Sequence, residues 1–148
     1  MVVFKEITNS DLELIVSLME EFYAIDNYPI DTETSTALFK EFITNEKLGK
    51  AWLIFTEKEV VGYVILTFVF SFEYQGRIAF LDELYLSEKA RGKGLGKKTV
   101  QFIIEQISNL SLKHIYLEVE EHNNNAQKLY IASDFEFHNR KLMSYKPR

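Results

Sequence analysis

The sequence predicts an α/β (α+β) chain, a mixed and mostly antiparallel twisted sheet of about seven strands flanked by about four helices. Two changes of hydrophobic period and one crossover predict it. Apolar residues recur at helical spacing over 12–23, run at strand spacing over 51–86, and return to helical spacing after residue 95. A further strand after that second helical block makes a β-α-β crossover beside hairpin-joined strands, which requires a mixed sheet. At 148 residues and 47% apolar composition, the chain suits one domain, 1–148, with a substantial core.

Taken in order, Val2 to Ile7 predicts a short strand. Thr8 and Asp11 have capping-box spacing, and Leu12, Ile15, Val16, Met19, Phe22 and Tyr23 follow on one helical face. Pro29 removes Tyr28 from the helical region and ends that helix. A second helix is expected from about Thr32 to Thr44, with Leu38 and Phe42 inward. "AWLIFTEKEVVGYVILTFVF" predicts two strands joined by a tight turn at Glu57 to Glu59, and "EYQGR" turns the chain into a third strand, "IAFLDELYL". A helix with Val100, Ile103, Ile104 and Ile107 on one face comes next, then the strand "KHIYLEV" and the short helix "NNNAQKLYIAS". "FEFHNRKLMSYK" predicts two closing strands, giving the order β-αα-βββ-α-β-α-ββ.

Composition excludes several functions. No cysteine is present, which removes disulfides, thiolate zinc sites and acyl-cysteine chemistry. A net charge of −5 argues against a nucleic-acid partner. The start, "MVVFKEITNSD", turns polar too soon for a signal peptide. The longest apolar stretch, Val60 to Phe72, is interrupted by Gly62 and Thr67 and is too short for a membrane span of ~20 residues. A cytoplasmic location and no membrane partner are expected. His114, His122 and His138 lack metal-ligand spacing, so no metal is expected.

The segment "ARGKGLGKK" stands out in this acidic chain. Glycines at 92, 94 and 96 suit a backbone that something approaches closely, and the helix start that follows suits an anion. A P-loop would need glycine where Arg91 stands and a hydroxyl where Lys98 stands. A dinucleotide fingerprint fits Gly92 and Gly94 but meets Lys97 at its third glycine. Arg91-Gly92-Lys93-Gly94-Leu95-Gly96 instead resembles [QR]-x-x-G-x-[GA], the acetyl-CoA signature of the GCN5-related N-acetyltransferase (GNAT) superfamily. A second stretch, Asn123, Ala126, Leu129, Tyr130 and Phe135, resembles that family's N-x-x-A-x-x-L-Y-x-x-x-G-F, with Asp134 in place of the glycine. Aspartate tolerates the left-handed backbone that the glycine would adopt.

The resemblance implies the GNAT fold and acetyl transfer from acetyl-CoA to a primary amine. It assigns the cofactor to Arg91, Gly92, Lys93, Gly94, Leu95, Gly96 and Lys97, to Asn123, Ala126 and Tyr130, and to backbone groups of Leu84, Tyr85 and Leu86 on a splayed strand. Tyr130 matches the tyrosine that protonates the leaving thiolate, and it is also placed to anchor the short helix. Asn123 serves equally as a helix N-cap.

The amine must lose a proton before it attacks. Glu83 is the first candidate base: strand alternation puts Leu81, Glu83 and Tyr85 on one face, and apolar neighbours would raise its pKa. A salt-bridged edge carboxylate is the plain alternative. Glu121 is second, and a water chain without a dedicated base is a third route.

Acceptor choice in the family lies around the first two helices. Here Glu21, Tyr23, Asp26 and Tyr28, with Glu20 and Asp31, suit a cationic amine through charge and cation–π contact. The expected substrate is a small cationic molecule or amino acid, attacking acetyl-CoA directly. A protein N-terminal or lysine acetyltransferase, a silent acetyl-CoA-binding module and a nucleotide-phosphate binder are the alternatives. A homodimer is left open.

Overall fold

The structure is a computed structural model describing residues 1–148. They fall into two units, Met1–Glu118 and Val119–Arg148.

The first unit is a five-stranded sheet with helices on both faces. Its elements are β1 (Val2–Glu6), α1 (Leu12–Ile25), α2 (Thr32–Thr44), β2 (Gly49–Thr56), β3 (Glu59–Ser71), β4 (Gly76–Leu86), α3 (Leu95–Asn109) and β5 (Ile115–Leu117). The strands lie in sequence order, antiparallel throughout except for β4 and β5, which run parallel across the α3 crossover.

Local chemistry sets the element ends. Thr8 and Asp11 close the expected capping box, and Asp31 caps α2 by accepting from the Glu33 N–H at 3.3 Å. The β2–β3 turn places Glu57 and Lys58 at φ 50° and 66°, the left-handed pair whose twist matches a two-residue hairpin. At Gly62 an added Cβ would lie 1.9 Å from the Tyr85 carbonyl oxygen, so only glycine allows β3 to approach β4 there.

One face of the sheet packs Leu53, Tyr63, Ile65 and Tyr85 against Ile15, Val16 and Met19 of α1 and Phe39 of α2. On the other, Ile54, Val61 and Leu86 meet Leu95 at the start of α3, and Trp52 and Phe4 pack on Phe102. No helix is long and apolar enough to cross a membrane.

Local periodicity misassigned three faces, two on helices and one on a strand. Leu38 is 60% exposed, and its neighbour Phe39 fills the core instead, a rotation of one residue on a helix whose apolar stripe is narrow. Ile104 likewise turns outward from α3, while Thr99 and Gln106 are buried. On β4 the expected alternation breaks at a bulge: Ile65 pairs with Glu83 but Leu66 pairs with Leu81, leaving Asp82 as the extra residue. Leu81 therefore shares a face with Leu66, opposite Glu83, and only Glu83 and Tyr85 keep the predicted common face.

In the second unit, α4 (Asn124–Ala132) is capped by Asn123, whose side-chain oxygen accepts from the Ala126 N–H at 3.1 Å. Asp134 follows it at φ +70°, the left-handed conformation anticipated for the position that is glycine in the motif. The two closing strands do not form, so the sheet has five strands rather than about seven. Alternating residues define two faces, but a strand exists only where a ladder partner takes its N–H and C=O groups. Here Phe137, Leu142, Met143 and Tyr145 are exposed.

Candidate active site

Strand β4 carries the carboxylate that the sequence singles out. Its bulge at Asp82 turns Glu83 toward the α1 face, and the Glu83 side chain meets two phenols there. Tyr23 of α1 donates to Oε2 at 2.6 Å, and Tyr63 of β3 donates to Oε1 at 2.6 Å. Both are short enough for hydrogen bonds to an ionised carboxylate. Phe22 stands among the rings, 5.2 Å from Tyr85, 6.1 Å from Tyr23 and 6.3 Å from Tyr63 between centroids. Tyr85 reaches toward Glu21 at 3.4 Å.

Burial pushes the Glu83 carboxyl above the ordinary range; the two phenol bonds oppose this, and the neighbouring Asp82 charge adds to it. Burial also raises Asp82. The Tyr23 and Tyr63 hydroxyls are driven far up, by burial first and then by the adjacent carboxylate, so both remain donors. A half-buried carboxylate with raised proton affinity can accept a proton from an ammonium group.

The remaining acceptor-side residues divide. Glu21, Tyr23 and Tyr28 lie toward this cluster, with the Tyr28 ring edge-on to Tyr23 at 6.5 Å. Asp26 is exposed at the end of α1. Asp31 is occupied by its capping bonds to Glu33 and Thr34. Glu20 lines a shallow depression with Glu13, Ser17 and Lys40, apart from Glu21 and Tyr23.

Tyr63 is the residue that sequence reading missed. It is wholly buried within "VVGYVIL". A phenol in an otherwise apolar central strand needs a buried hydrogen-bond partner, and that requirement was the available signal.

Beyond Leu81, β4 runs on without β5, because their ladder ends at Leu81–Leu117. Leu84, Tyr85 and Leu86 thus present one backbone edge free of β5, as a splayed strand requires. The chain then turns. Arg91 donates from Nε back to the Leu86 carbonyl at 3.2 Å, and Gly92 and Gly94 take φ +76° and +75°. A Cβ at either glycine would meet no protein atom within 4 Å, so the turn borders open space. Gly94 caps α3 without any side-chain cap, and the first helical bond runs from the Lys98 N–H to the Gly94 carbonyl. The N–H groups of Leu95, Gly96 and Lys97 precede that bond and point out of the helix start. Lys93, Lys97 and Lys98 are exposed around it. Orphan donors, the helix dipole and three ammonium groups suit a pyrophosphate, so these residues fit acetyl-CoA.

In the second unit, burial raises the Tyr130 hydroxyl, and its ring meets Phe135 edge-on at 5.7 Å. The phenol remains protonated near neutral pH, as a proton donor must. Asn123 is engaged through its side-chain oxygen as the cap of α4. Glu121 is exposed, and its backbone carbonyl accepts from the Gln127 amide at 2.9 Å.

The acetyltransferase (GNAT) family model matches residues 13–137. The chain belongs to that family. As a GNAT protein it is an acetyl-CoA-dependent N-acetyltransferase. It is 28% identical over 132 residues to a D-amino-acid N-acetyltransferase of Saccharomyces cerevisiae, covering 87% of this chain and 81% of that one. It is 32% identical over 88 residues to a spermine/spermidine N(1)-acetyltransferase of Bacillus subtilis, covering 57% of each. Among solved structures, an integron cassette protein from the mobile metagenome of Cole Harbour Salt Marsh matches with TM-score 0.87 and 29% identity, over 97% of this chain and 89% of that chain.

Proposed function

We propose that this acetyltransferase modifies the primary amine of a small cationic molecule or amino acid, by direct attack and within one domain spanning 1–148. The observation that carries the proposal is Glu83, half-buried beside two phenols and flanked by Glu21, Tyr23 and Tyr28. Relatives named for D-amino acids and for spermine and spermidine support an acceptor of this size and charge.

Acetyl-CoA supplies a thioester whose C–S bond breaks as the C–N bond to the amine forms. Glu83 takes a proton from the incoming ammonium, directly or through one water, and leaves a lone pair free to attack. Glu21 and the faces of Tyr23 and Tyr28 orient the cation. The N–H groups at the start of α3 hold the pyrophosphate, and the free edge of β4 at Leu84 to Leu86 aligns the pantetheine arm. Tyr130 gives its proton to the departing sulfur. A second proton leaves the nitrogen as the amide forms and restores the Tyr130 phenol, so one ammonium and one thioester become one amide, one thiol and one free proton, the one Glu83 took. Net negative charge supports a role away from nucleic acid, and the lack of cysteine is compatible with the cytoplasmic setting of this reading.

The test is a turnover screen with acetyl-CoA, read by free-thiol release, over amino acids of both hands, polyamines, aminoglycosides and peptides with free N-termini. Turnover on small amines supports the proposal. Turnover confined to peptides replaces it with protein acetylation, and acetyl-CoA binding without turnover on any amine leaves a silent binding module.

A further inference from the structure

The base assignment leaves one feature of the cluster unexplained. Each oxygen of Glu83 takes its own short bond, from phenols that lie 60 and 20 residues away in sequence on different elements. Tyr63 is 0% exposed and so cannot touch an acceptor. We propose that Tyr63 and Tyr23 are positioning residues, a two-phenol clamp that fixes the direction of the Glu83 carboxylate and favours its ionised form. The proposal rests on the reading of Glu83 as the base.

Geometry gives the clamp its rigidity. The Tyr63 ring sits in the core with Leu53, Ile65 and Tyr85, and Phe22 packs against the rings of both Tyr23 and Tyr63. Neither phenol can swing away without opening that packing. With both oxygens engaged, the carboxylate keeps its outer lone pairs for an ammonium or a bridging water.

Charge gives it a purpose. The titratable groups facing the cluster are Tyr23 and Glu21 on α1, Tyr63 on β3, and Asp82 and Tyr85 on β4. Arg91 and Glu88 act on Tyr85, and no lysine or arginine is among the groups that act on Glu83. Burial and Asp82 both favour the protonated acid, and the two phenols are what oppose them. Without the clamp, Glu83 would hold a proton closer to neutral pH, where a base must be empty.

The experiment follows the Glu83 carboxyl by carbon NMR titration in the wild type, Tyr63→Phe and Tyr23→Phe, alongside log kcat/KM against pH. Each lost bond to a charged acceptor should raise the carboxyl pKa by about one to two units. The acidic limb of kcat/KM should move up by the same amount, while KM for acetyl-CoA stays unchanged. A carboxyl pKa unmoved in both variants overturns the clamp. A carboxyl pKa that moves while the limb stays upholds the clamp and overturns Glu83 as the base. If Tyr63→Phe fails to fold, Tyr23→Phe decides alone, since Tyr23 lies near the end of α1 and is partly exposed.

Discussion

The Glu83 cluster and the glycine turn do related work with opposite materials. Around Glu83 the chemistry is all side chain: a carboxylate, two phenols and a packed ring, drawn from α1, β3 and β4. At 91–98 it is largely backbone: two glycines at φ near +75°, an uncapped helix start and solvent-facing lysines. The difference follows from the role proposed for each. A base needs a tuned proton affinity, which requires burial and specific partners. A phosphate site needs many donors at close range, which a bare backbone supplies without desolvating a charge.

The largest effect should come from breaking the side-chain site. Glu83→Gln keeps the shape and removes the proposed base, and kcat at neutral pH should fall on the order of 10²–10⁴-fold. High pH should restore part of it, because the amine then arrives neutral, and titration calorimetry should show unchanged acetyl-CoA affinity. Full activity across pH would make Glu83 structural and shift attention to Glu121.

Tyr130→Phe should lower kcat by a similar or smaller factor with little change in KM for acetyl-CoA, as steady-state kinetics would show. Wild-type turnover would reduce Tyr130 to its packing against Phe135.

The backbone site should fail differently. Gly94→Val puts a β-branched residue at φ +75° and fills space that the protein leaves open. Acetyl-CoA affinity should drop by at least about tenfold, with binding lost first and the Glu83 carboxyl titration unaltered. Calorimetry on the folded variant checks the affinity.

A stability measurement sharpens the contrast further. The Glu83 carboxyl sits above the ordinary glutamate value of 4.5 in the fold, while in the unfolded chain it titrates near that value. Between the two, the native state holds a proton that the unfolded state has released. The stability contributed by this group is therefore full below about 4.5 and is lost as pH rises through the folded pKa. Glu83→Gln should gain stability relative to the wild type over that window, by about 1.4 kcal/mol per unit of pKa separation, discounted for partial exposure. Urea denaturation across pH measures it.

The smallest effects should come from side chains of the turn. Lys93→Ala or Lys97→Ala should weaken acetyl-CoA binding only a few-fold, and added salt should erase the difference. A large, salt-insensitive loss would show that the site depends on its ammonium groups after all.

Much of this was legible in the residues. Arg91 to Gly96 and Asn123 to Phe135 are contiguous, so their spacing carries their geometry; the φ of Asp134 and the Asn123 cap follow from local rules. The limits of α2 were expected at Thr32 and Thr44, but its inward face was not legible, because Leu38 and Phe39 are both strongly apolar and only packing distinguishes them. The closing strands failed for the same kind of reason, since strand pattern does not supply a ladder partner.

Local chemistry alone accounts for the order of elements up to α4, the glycine turn ahead of α3 and the presence of a carboxylate on β4. Each is governed by interactions within a few residues. Long-range packing, by contrast, sets the bulge at Asp82, parts Leu81 and Glu83 to opposite faces, and brings Tyr23 and Tyr63 onto one carboxylate. Those outcomes depend on register between strands and on packing across 20 to 60 residues of chain, where local preference has no reach and the competition to satisfy buried polar groups makes the choice.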